Sequence, residues 1–330
     1  MSYWGDLQVL VTGGAGFGGA HLCELLLQKG ARVAVLDLEM PPLSHLRLGG
    51  LENQIHFLQG DIRDADRLKL WCERYQFQTI FHVAAQPIVS ISNLLPAETA
   101  SVNIMGTYNV LEAVRQSRSP RHLVFASSGA YYGATDAECA IPEDAPPLPA
   151  GNIYAPSKVA GDIAVRCYAK TYGIKAAVCR WMNTYGPADT NFSRIVPATI
   201  RRLMRGERPV IDGTDGTNVL EVLHVRDMAA GYLAVAEKLE DGASGEAFNF
   251  GSGQPLTLLD LVRSVTRSWN ESGGESVPEE PVITGPHIRS TKHLDIAKAR
   301  TMLDWKPEIG LEEGLRETIE WYRRHYALLT

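Results

Sequence analysis

A glycine-rich turn between two apolar runs constrains the fold more than any other feature of this sequence. The run "LQVLVTGG" ends in glycines, the amphipathic stretch "AHLCELLLQKG" follows, and "ARVAVLDL" is a second apolar run. This order is typical of a strand, a tight turn, a helix and a second strand. The same alternation continues in four further apolar runs, which are "IHFLQGD", "TIFHVAA", "HLVFASS" and "KAAVCRWMN".

Apolar strands that alternate with helical patterns predict an α/β fold with a Rossmann-type, doubly wound parallel sheet. After about residue 185 the rhythm changes to helices with short strands, which indicates a smaller, mixed α/β C-terminal substrate lobe. We expect residues 1–185 and about 219–250 to form the domain that contains the Rossmann-type sheet. Residues 186–218 and 251–330 are expected to form the substrate lobe, interleaved with the first.

Composition excludes several classes of protein. The net charge is −6 and no block of Lys or Arg stands out, so we expect no nucleic-acid partner. No apolar run is long enough to span a membrane, and the N-terminus has no signal-peptide pattern. The five cysteines lack CxxC spacing, and no histidine pair has the HxxxH spacing. We therefore expect a cytoplasmic protein with free thiols and no metal site.

The turn "TGGAGFGG" carries the first chemical signal. Gly13, Gly16 and Gly19 fit GxxGxxG between a strand and a helix, with Phe17 inside the turn. Such glycines let the backbone approach a pyrophosphate at a helix N-terminus. The next strand ends at Asp37, where a carboxylate binds an adenosine ribose and repels a 2′-phosphate. The pattern therefore favours NAD over NADP, and a purely structural turn is the alternative.

Two later strand ends are candidates for further contacts with the cofactor. Asp61 and Ile62 follow the third strand, where an adenine could pack, although a solvated loop acid is an equal reading of Asp61. The small Ala84 and Ala85 follow the fourth strand and leave room beside the backbone, but ordinary strand packing explains them equally well.

The stretch "YAPSK" is the strongest catalytic signal. Tyr154 and Lys158 share one face of a helix at i and i+4, and Pro156 is tolerated in a first turn. A phenol titrates near pH 10, so it needs a nearby cation to act as a base at neutral pH. We expect Lys158 and a nicotinamide cation to provide that charge. Ser127 and Ser128 precede this helix, and a serine hydroxyl there can bind the same substrate oxygen.

At these residues the chain resembles the extended short-chain dehydrogenase/reductase family, in particular its nucleotide-sugar epimerases and dehydratases. The resemblance extends over nearly the whole chain, through "VTGGAGFGGAHL", "FHVAAQ", "YAPSK", "RWMNTYGP" and "LHVRDMAAGY". It implies catalytic Ser128, Tyr154 and Lys158, bound NAD, and a homodimer formed by two helices that start near Thr99 and Tyr154. It also implies cofactor contacts from Asn103, Tyr154 and Lys158 in addition to the positions above. The substrate, a nucleotide-diphosphate sugar, would meet Gln86, Ser128, Asn183, Val196, Arg201 and Arg289.

Two departures from the family pattern bear on the reaction. Related 4,6-dehydratases carry an acid and a base directly after the catalytic Ser or Thr, whereas this chain has Gly129 and Ala130. Elimination of water needs both groups, so we favour epimerisation at C4 through a 4-keto sugar. Leu220 stands where relatives have an arginine that binds the diphosphate. Arg194, Arg201 and Arg289 are candidate replacements.

Other readings remain open at this point. A 4,6-dehydratase with an acid and a base from elsewhere in the chain, or a 4-ketoreductase, would use the same scaffold. A substrate other than a nucleotide sugar is compatible with Leu220. A non-catalytic NAD-binding regulator would belong to a different class, although it would need neither Tyr154 nor Lys158.

Overall fold

The computed structural model describes residues 3–118, 122–133, 135, 139–273, 276–287 and 290–329. Strands and helices alternate along the first two thirds of the chain. The strands are β1 (Gln8–Thr12), β2 (Arg32–Asp37), β3 (His56–Gln59), β4 (Thr79–His82), β5 (His122–Ser128), β6 (Lys175–Trp181), β7 (Asn183–Tyr185), β8 (Val210–Ile211), β9 (Val219–Leu220), β10 (Val222–His224), β11 (Ala247–Phe250), β12 (Leu256–Thr257) and β13 (Val282–Ile283).

Helices connect these strands and close the chain. The α-helices are α1 (Phe17–Gln28), α2 (His45–Leu48), α3 (Ala65–Tyr75), α4 (Val89–Leu94), α5 (Pro96–Ala100), α6 (Gly106–Gln116), α7 (Tyr154–Tyr172), α8 (Ile195–Leu203), α9 (Val225–Glu237), α10 (Leu258–Glu271), α11 (Ala297–Leu303), α12 (Leu311–Arg324) and α13 (Tyr326–Leu329). Short 3₁₀ turns occupy Glu52–Gln54 and Gly129–Tyr132, and π turns occupy Ser101–Met105 and Leu239–Ala243.

Seven parallel strands form the central sheet in the order β11-β6-β5-β4-β1-β2-β3. This confirms the predicted doubly wound sheet. The strand order reverses between β1 and β4, so the carboxyl ends of these two strands flank a crevice. Ligands of open α/β sheets bind at such a point.

Apolar side chains on both faces of the sheet explain why its strands lack polar alternation. Val9 and Val11 pack into one core with α1 and α9, whereas Leu10 packs into the other core with α3, α6 and α7. Parallel strands covered by helices on both faces read as continuous apolar runs for this reason.

A third core lies in the region after β6, where α8, α10 and α12 pack together through Ile200, Val265 and Ile319, among others. Helix α10 shows the cause in its sequence, since Leu258, Leu261, Val262, Val265 and Trp269 are buried at helical spacing. Short two-stranded pairings, such as β10 with β7 and β12 with β9, connect this part of the chain to the carboxyl edge of the main sheet.

The helical stretch that includes α5 and α6 is irregular. A π turn at Ser101–Met105 separates α5 from α6, and it carries the buried Asn103. Gly106 starts α6 directly against Ile62, because a Cβ at Gly106 would lie 2.6 Å from Ile62 Cδ1. In the part of the chain that the structure describes, no helix combines the length and apolarity needed to cross a bilayer.

Candidate active site

The glycine turn after β1 is tightly packed except on one side. Gly13 has φ +72°, and a Cβ there would lie 2.6 Å from the backbone nitrogen of Ala84. A Cβ at Gly19 would overlap the carbonyl oxygen of Gly13, whereas one at Gly16 would meet only that oxygen, at 3.4 Å. Gly16 caps α1 without a side-chain hydrogen bond. The first N–H groups of a helix have no partner within the helix and suit a pyrophosphate, so the turn fits the predicted NAD.

Asp37 lies at the same turn. Its carboxylate accepts hydrogen bonds from the backbone N–H of Ala15 at 3.1 Å and of Leu38 at 2.9 Å. Burial raises the pKa of Asp37, and these two N–H groups oppose that shift. The structure therefore brings the predicted ribose-binding carboxylate to the glycine turn, and the contact with ribose stays a prediction.

The residues after β3 have partners within the protein. Asp61 accepts hydrogen bonds from the Arg63 guanidinium at 2.5 and 2.9 Å, and Arg63 also donates to Glu98 at 2.8 Å. The Arg63 hydrogen bonds lower the pKa of Asp61. Ile62 is buried against Gly106. A role for Asp61 and Ile62 in binding adenine stays a prediction.

Buried Asn103 joins the end of β4 to the start of α7. Its amide accepts from the Gln86 N–H at 2.7 Å, and it donates to the Gln86 carbonyl at 3.0 Å and to Ser157 Oγ at 2.9 Å. Ser157 Oγ donates in turn to the Tyr154 carbonyl at 2.7 Å. The Asn103 side chain therefore positions the helix that carries Tyr154. The half-buried Ala84 and Ala85 lie between β4 and Gln86.

The three predicted catalytic residues converge at the carboxyl ends of β5 and the start of α7. Tyr154 shares a hydrogen bond with Ser128, whose Oγ also accepts from the Ala130 N–H at 3.1 Å. Lys158 donates to the Ala126 carbonyl at 2.8 Å, and its Nζ lies 5.9 Å from the Tyr154 ring centroid. Tyr154 and Lys158 thus lie on one face of α7, as the i, i+4 spacing predicts, and the Ser128 hydroxyl at the end of β5 lies beside Tyr154.

The protonation chemistry differs from the expectation in one respect. Burial raises the pKa of Tyr154, although the Ser128 hydrogen bond and the Arg194 charge both lower it. Burial also lowers the pKa of Lys158 to about 8. Because burial is the larger effect, the protein groups alone do not give the phenolate that we expected. The positive charge of an oxidised nicotinamide is the remaining source of such a shift.

A buried ion pair supports the turn that follows Ser128. Arg180 donates to Asp162 at 2.8 and 3.0 Å, and neither side chain is exposed. The Arg180 guanidinium carbon stacks 3.6 Å from the Tyr131 ring centroid, and its Nη1 donates to the Tyr132 hydroxyl at 2.8 Å. Both tyrosines belong to the 3₁₀ turn Gly129–Tyr132, so the pair fixes this turn beneath Ser128.

A side chain at position 129 would displace Met182. Gly129 is buried, and a Cβ there would lie 2.6 Å from Met182 Sδ and 3.3 Å from the Trp181 carbonyl oxygen. Ala130 follows in the same turn. The glycine that replaces a dehydratase side chain at position 129 therefore lets this turn pack closely against Trp181 at the end of β6 and against Met182.

The predicted substrate residues are distributed over the region after β6. Asn183 donates to the Glu221 carbonyl at 3.2 Å, Val196 is buried in the third core, and Arg201 stacks 4.5 Å from the Phe192 ring centroid. Arg289 lies outside the described residues. The structure does not by itself join these positions into one pocket, and their contacts with substrate stay predictions.

Arg194, which we considered for the missing diphosphate contact, lies near the glycine turn. Its guanidinium donates to the buried Asp189 at 3.1 Å and lies 5.6 Å from the Phe17 ring centroid in the glycine turn. Its charge lowers the pKa of Tyr154, as noted above. Arg194 therefore places a positive charge between the cofactor turn and the catalytic tyrosine.

Lys292 is a candidate cation of the site that the sequence analysis missed. Its backbone N–H donates to the Val219 carbonyl at 3.1 Å, and its ammonium group donates to the Gly133 carbonyl. Burial lowers the pKa of Lys292. No carboxylate of the described residues forms an ion pair with it. No local pattern indicates this placement, because Lys292 belongs to no motif and reaches the turn after Ser128 from a distant segment.

The parallel sheet, the glycine turn and the Ser128–Tyr154–Lys158 cluster define an enzyme that uses a nicotinamide dinucleotide to oxidise and reduce an alcohol. The chain belongs to the NAD dependent epimerase/dehydratase family, whose model matches residues 9–251.

Similar proteins include members with two different reactions. The chain is 28% identical over 325 residues to the dTDP-D-glucose 4,6-dehydratase of Bos taurus, covering 97% of this chain and 89% of that protein. It is 30% identical over 322 residues to the UDP-glucose 4-epimerase of Mycolicibacterium smegmatis, covering 96% and 99%. The crystal structure of UDP-glucose 4-epimerase from Thermotoga maritima with UDP-glucose superposes with a TM-score of 0.86 at 30% identity, covering 97% and 100%.

Proposed function

We propose that the protein is an NAD-dependent nucleotide-sugar epimerase that acts through a transient 4-keto sugar, with C4 epimerisation as its reaction. The observation that carries this choice is the turn after Ser128. Gly129 and Ala130 provide neither an acid nor a base, and Gly129 packs closely against Met182. Dehydration across C5–C6 requires both groups, whereas epimerisation does not.

The residues of the site support oxidation at C4. NAD supplies a hydride acceptor that returns the hydride later in the cycle. Tyr154 would accept the proton of the sugar 4-hydroxyl, and Ser128, already hydrogen-bonded to it, would hold the same oxygen. Lys158 would hold the nicotinamide ribose and contribute a nearby positive charge. After oxidation, the planar keto group presents its other face when the sugar turns, and reduction on that face inverts C4.

The substrate diphosphate needs cations to bind it. Two described residues are candidates for this role in place of the arginine that is missing at Leu220. Arg194 lies between Phe17 and Tyr154, and Lys292 is bonded through its backbone to Val219, the neighbour of Leu220. A guanidinium group binds phosphate oxygens in a bidentate manner. We propose these two as the phosphate contacts, with Asn183, Val196, Arg201, Arg289 and Gln86 around the sugar and the nucleotide.

A 4,6-dehydratase is the second candidate. The similarity to dTDP-D-glucose 4,6-dehydratase of Bos taurus over 97% of this chain favours it. Its acid and base would have to come from outside the Gly129–Tyr132 turn. Lys292 is a basic group at the Gly133 end of this turn.

We also propose a cytoplasmic homodimer with two interleaved lobes divided as the sequence analysis expects. All five cysteines are free thiols, which suits a reducing compartment. Large apolar side chains are exposed on and just before the two helices that the family resemblance assigns to the dimer: Met105, Tyr108, Ile163 and Tyr172. A shared apolar face of this kind marks a protein–protein interface.

The proposed reaction is tested by NMR of the purified protein with UDP-, dTDP-, CDP- and GDP-hexoses and no added cofactor. We expect the C4 epimer of one sugar to accumulate without net formation of NADH. A 4-keto-6-deoxy product would instead establish the dehydratase. A matched sample of the Tyr154→Phe variant shows whether the product depends on this site.

A further inference from the structure

Three side chains with metal-ligating atoms meet where α1 packs against α2, away from the Ser128–Tyr154–Lys158 cluster. His21 and Glu24 lie one turn apart on α1, and His45 is the first residue of α2. His45 Nε2 lies 2.8 Å from Glu24 Oε2, and His21 Nδ1 lies 3.9 Å from the same oxygen. The two imidazole rings stack with centroids 4.0 Å apart.

The tautomer of His21 is fixed by the backbone. Its Nε2 lies 2.9 Å from the Pro187 carbonyl, which can only accept a hydrogen bond, so Nε2 carries the proton. Nδ1 of the neutral ring then presents a lone pair. The ring is buried. Histidines that bind a metal through one ring nitrogen usually donate a hydrogen bond from the other nitrogen to a carbonyl or carboxylate group.

The lone pair of His21 faces an acceptor. Nδ1 is buried and has no hydrogen-bond partner, and the group that it approaches is the Glu24 carboxylate. Glu24 Oε2 accepts from His45 Nε2 at 2.8 Å, and the unpartnered His21 Nδ1 adds a second nitrogen beside this pair. His45 completes the same cluster through its contact with Glu24.

We propose that His21, Glu24 and His45 form a binding site for a divalent transition-metal ion of the zinc type. Two imidazole nitrogens and one carboxylate oxygen are a donor set that zinc accepts, with water in the fourth position. The three ligand atoms lie within 4.8 Å of one another. Ligands of a tetrahedral zinc ion lie roughly 3.4 Å apart. Because the two rings stack in nearly parallel planes, the half-buried His45 ring has to rotate for both nitrogens to face one ion.

The residues around the cluster provide access from solvent and connect the cluster to the glycine turn. His21 is 4% exposed, whereas Glu24 is 32% exposed, so the cluster opens to solvent on the carboxylate side. Ser44, next to His45, donates to the Ala15 carbonyl in the glycine turn at 2.8 Å. A bound ion would therefore fasten α2 to α1 and stabilise the segment between Asp37 and the cofactor turn. This role does not depend on which reaction the enzyme catalyses.

Cobalt provides the test, because Co²⁺ in a zinc-type site gives visible d–d absorption. The full chain is treated with a chelator, and Co²⁺ is titrated with Zn²⁺ as competitor. We expect one Co²⁺ per chain, loss of the absorption on addition of Zn²⁺, and a higher Tm with Zn²⁺ than without it. His45→Ala and Glu24→Gln remove a ligand at half-buried positions that folding tolerates better than His21. Each should weaken binding by about 100-fold or more, since even the partners of ligands contribute 10–100-fold.

The matched control is His287→Ala. His287 Nδ1 lies 2.7 Å from Asp215 Oδ2 on the surface, a histidine–carboxylate pair outside any three-ligand group of the described residues. It should bind Co²⁺ as the wild type does. Absence of the absorption in the wild type, or its persistence in both ligand variants, would overturn the proposal. Thermal melts without metal confirm that each variant is folded.

Discussion

Tyr154 is the residue on which the proposed chemistry depends most directly. Replacement by Phe removes the proton acceptor but keeps the ring that packs at the start of α7. We expect kcat to fall by about 10²–10⁴-fold, the usual contribution of a positioned acid or base, while bound NAD and the Tm stay near wild-type values. Tyr3→Phe is the matched control, because Tyr3 lies outside the proposed site and the proposed dimer surface and is 46% exposed. Equal loss of activity in both variants would contradict the role of Tyr154.

The contrast between Tyr154 and Asn103 shows what sequence spacing can predict at this scale. Tyr154 and Lys158 share a helix face by periodicity alone, so their proximity follows from the sequence. Asn103 makes hydrogen bonds to Gln86 and Ser157, which come from other segments. Such tertiary bonds leave no local pattern, and the same is true of His21 with His45 and of Lys292 with Gly133.

At the scale of the element, the close packing of the glycine turn against α1 requires that position 19 has no side chain. In Gly19→Ala, the new methyl group would overlap the backbone of Gly13, so the turn would have to open. We expect a loss of about 1–3 kcal/mol in the free energy of unfolding, typical of overpacking, and loss of bound NAD. Gly18→Ala is the control, since its methyl group would meet only the flexible end of Met228. Urea unfolding and the absorbance of released cofactor measure both effects, and equal stability of the two variants would contradict this account.

The elements themselves were largely predictable because the apolar runs of the sheet and the amphipathic helices follow directly from burial. The central strands and α7 lie where the sequence indicates. The π turn at Ser101–Met105 was not predicted, since a single additional residue per turn scarcely changes the apolar pattern of a helix. The close packing of Gly129 against Met182 also required the structure, because these residues lie on neighbouring segments rather than on one element.

At the scale of the whole molecule, α6 and α7 form one surface. Tyr108 on α6 and Tyr168 on α7 are in edge-to-face contact, with ring centroids 6.0 Å apart, and Tyr168 donates to Glu112 at 2.9 Å. Beside this contact the exposed apolar side chains Met105 and Ile163 face solvent in the single chain. A two-fold axis across this surface would bury the same residues of both copies, which is how isologous dimers form.

Ile163→Glu tests this arrangement. A charge on each copy within the proposed surface would have to be buried without a partner, so the variant should sediment as a monomer. We expect the wild type to sediment with twice the 36.2 kDa mass of the chain. Met302→Glu on α11 introduces the same charge at another exposed apolar position and should remain a dimer. A wild-type monomer at micromolar concentration, or an Ile163→Glu variant that still sediments as a dimer, would place the interface elsewhere. Since Tyr154 and Ile163 lie on the same helix, a monomeric variant that also loses activity would show that the second copy holds α7 in its catalytic position.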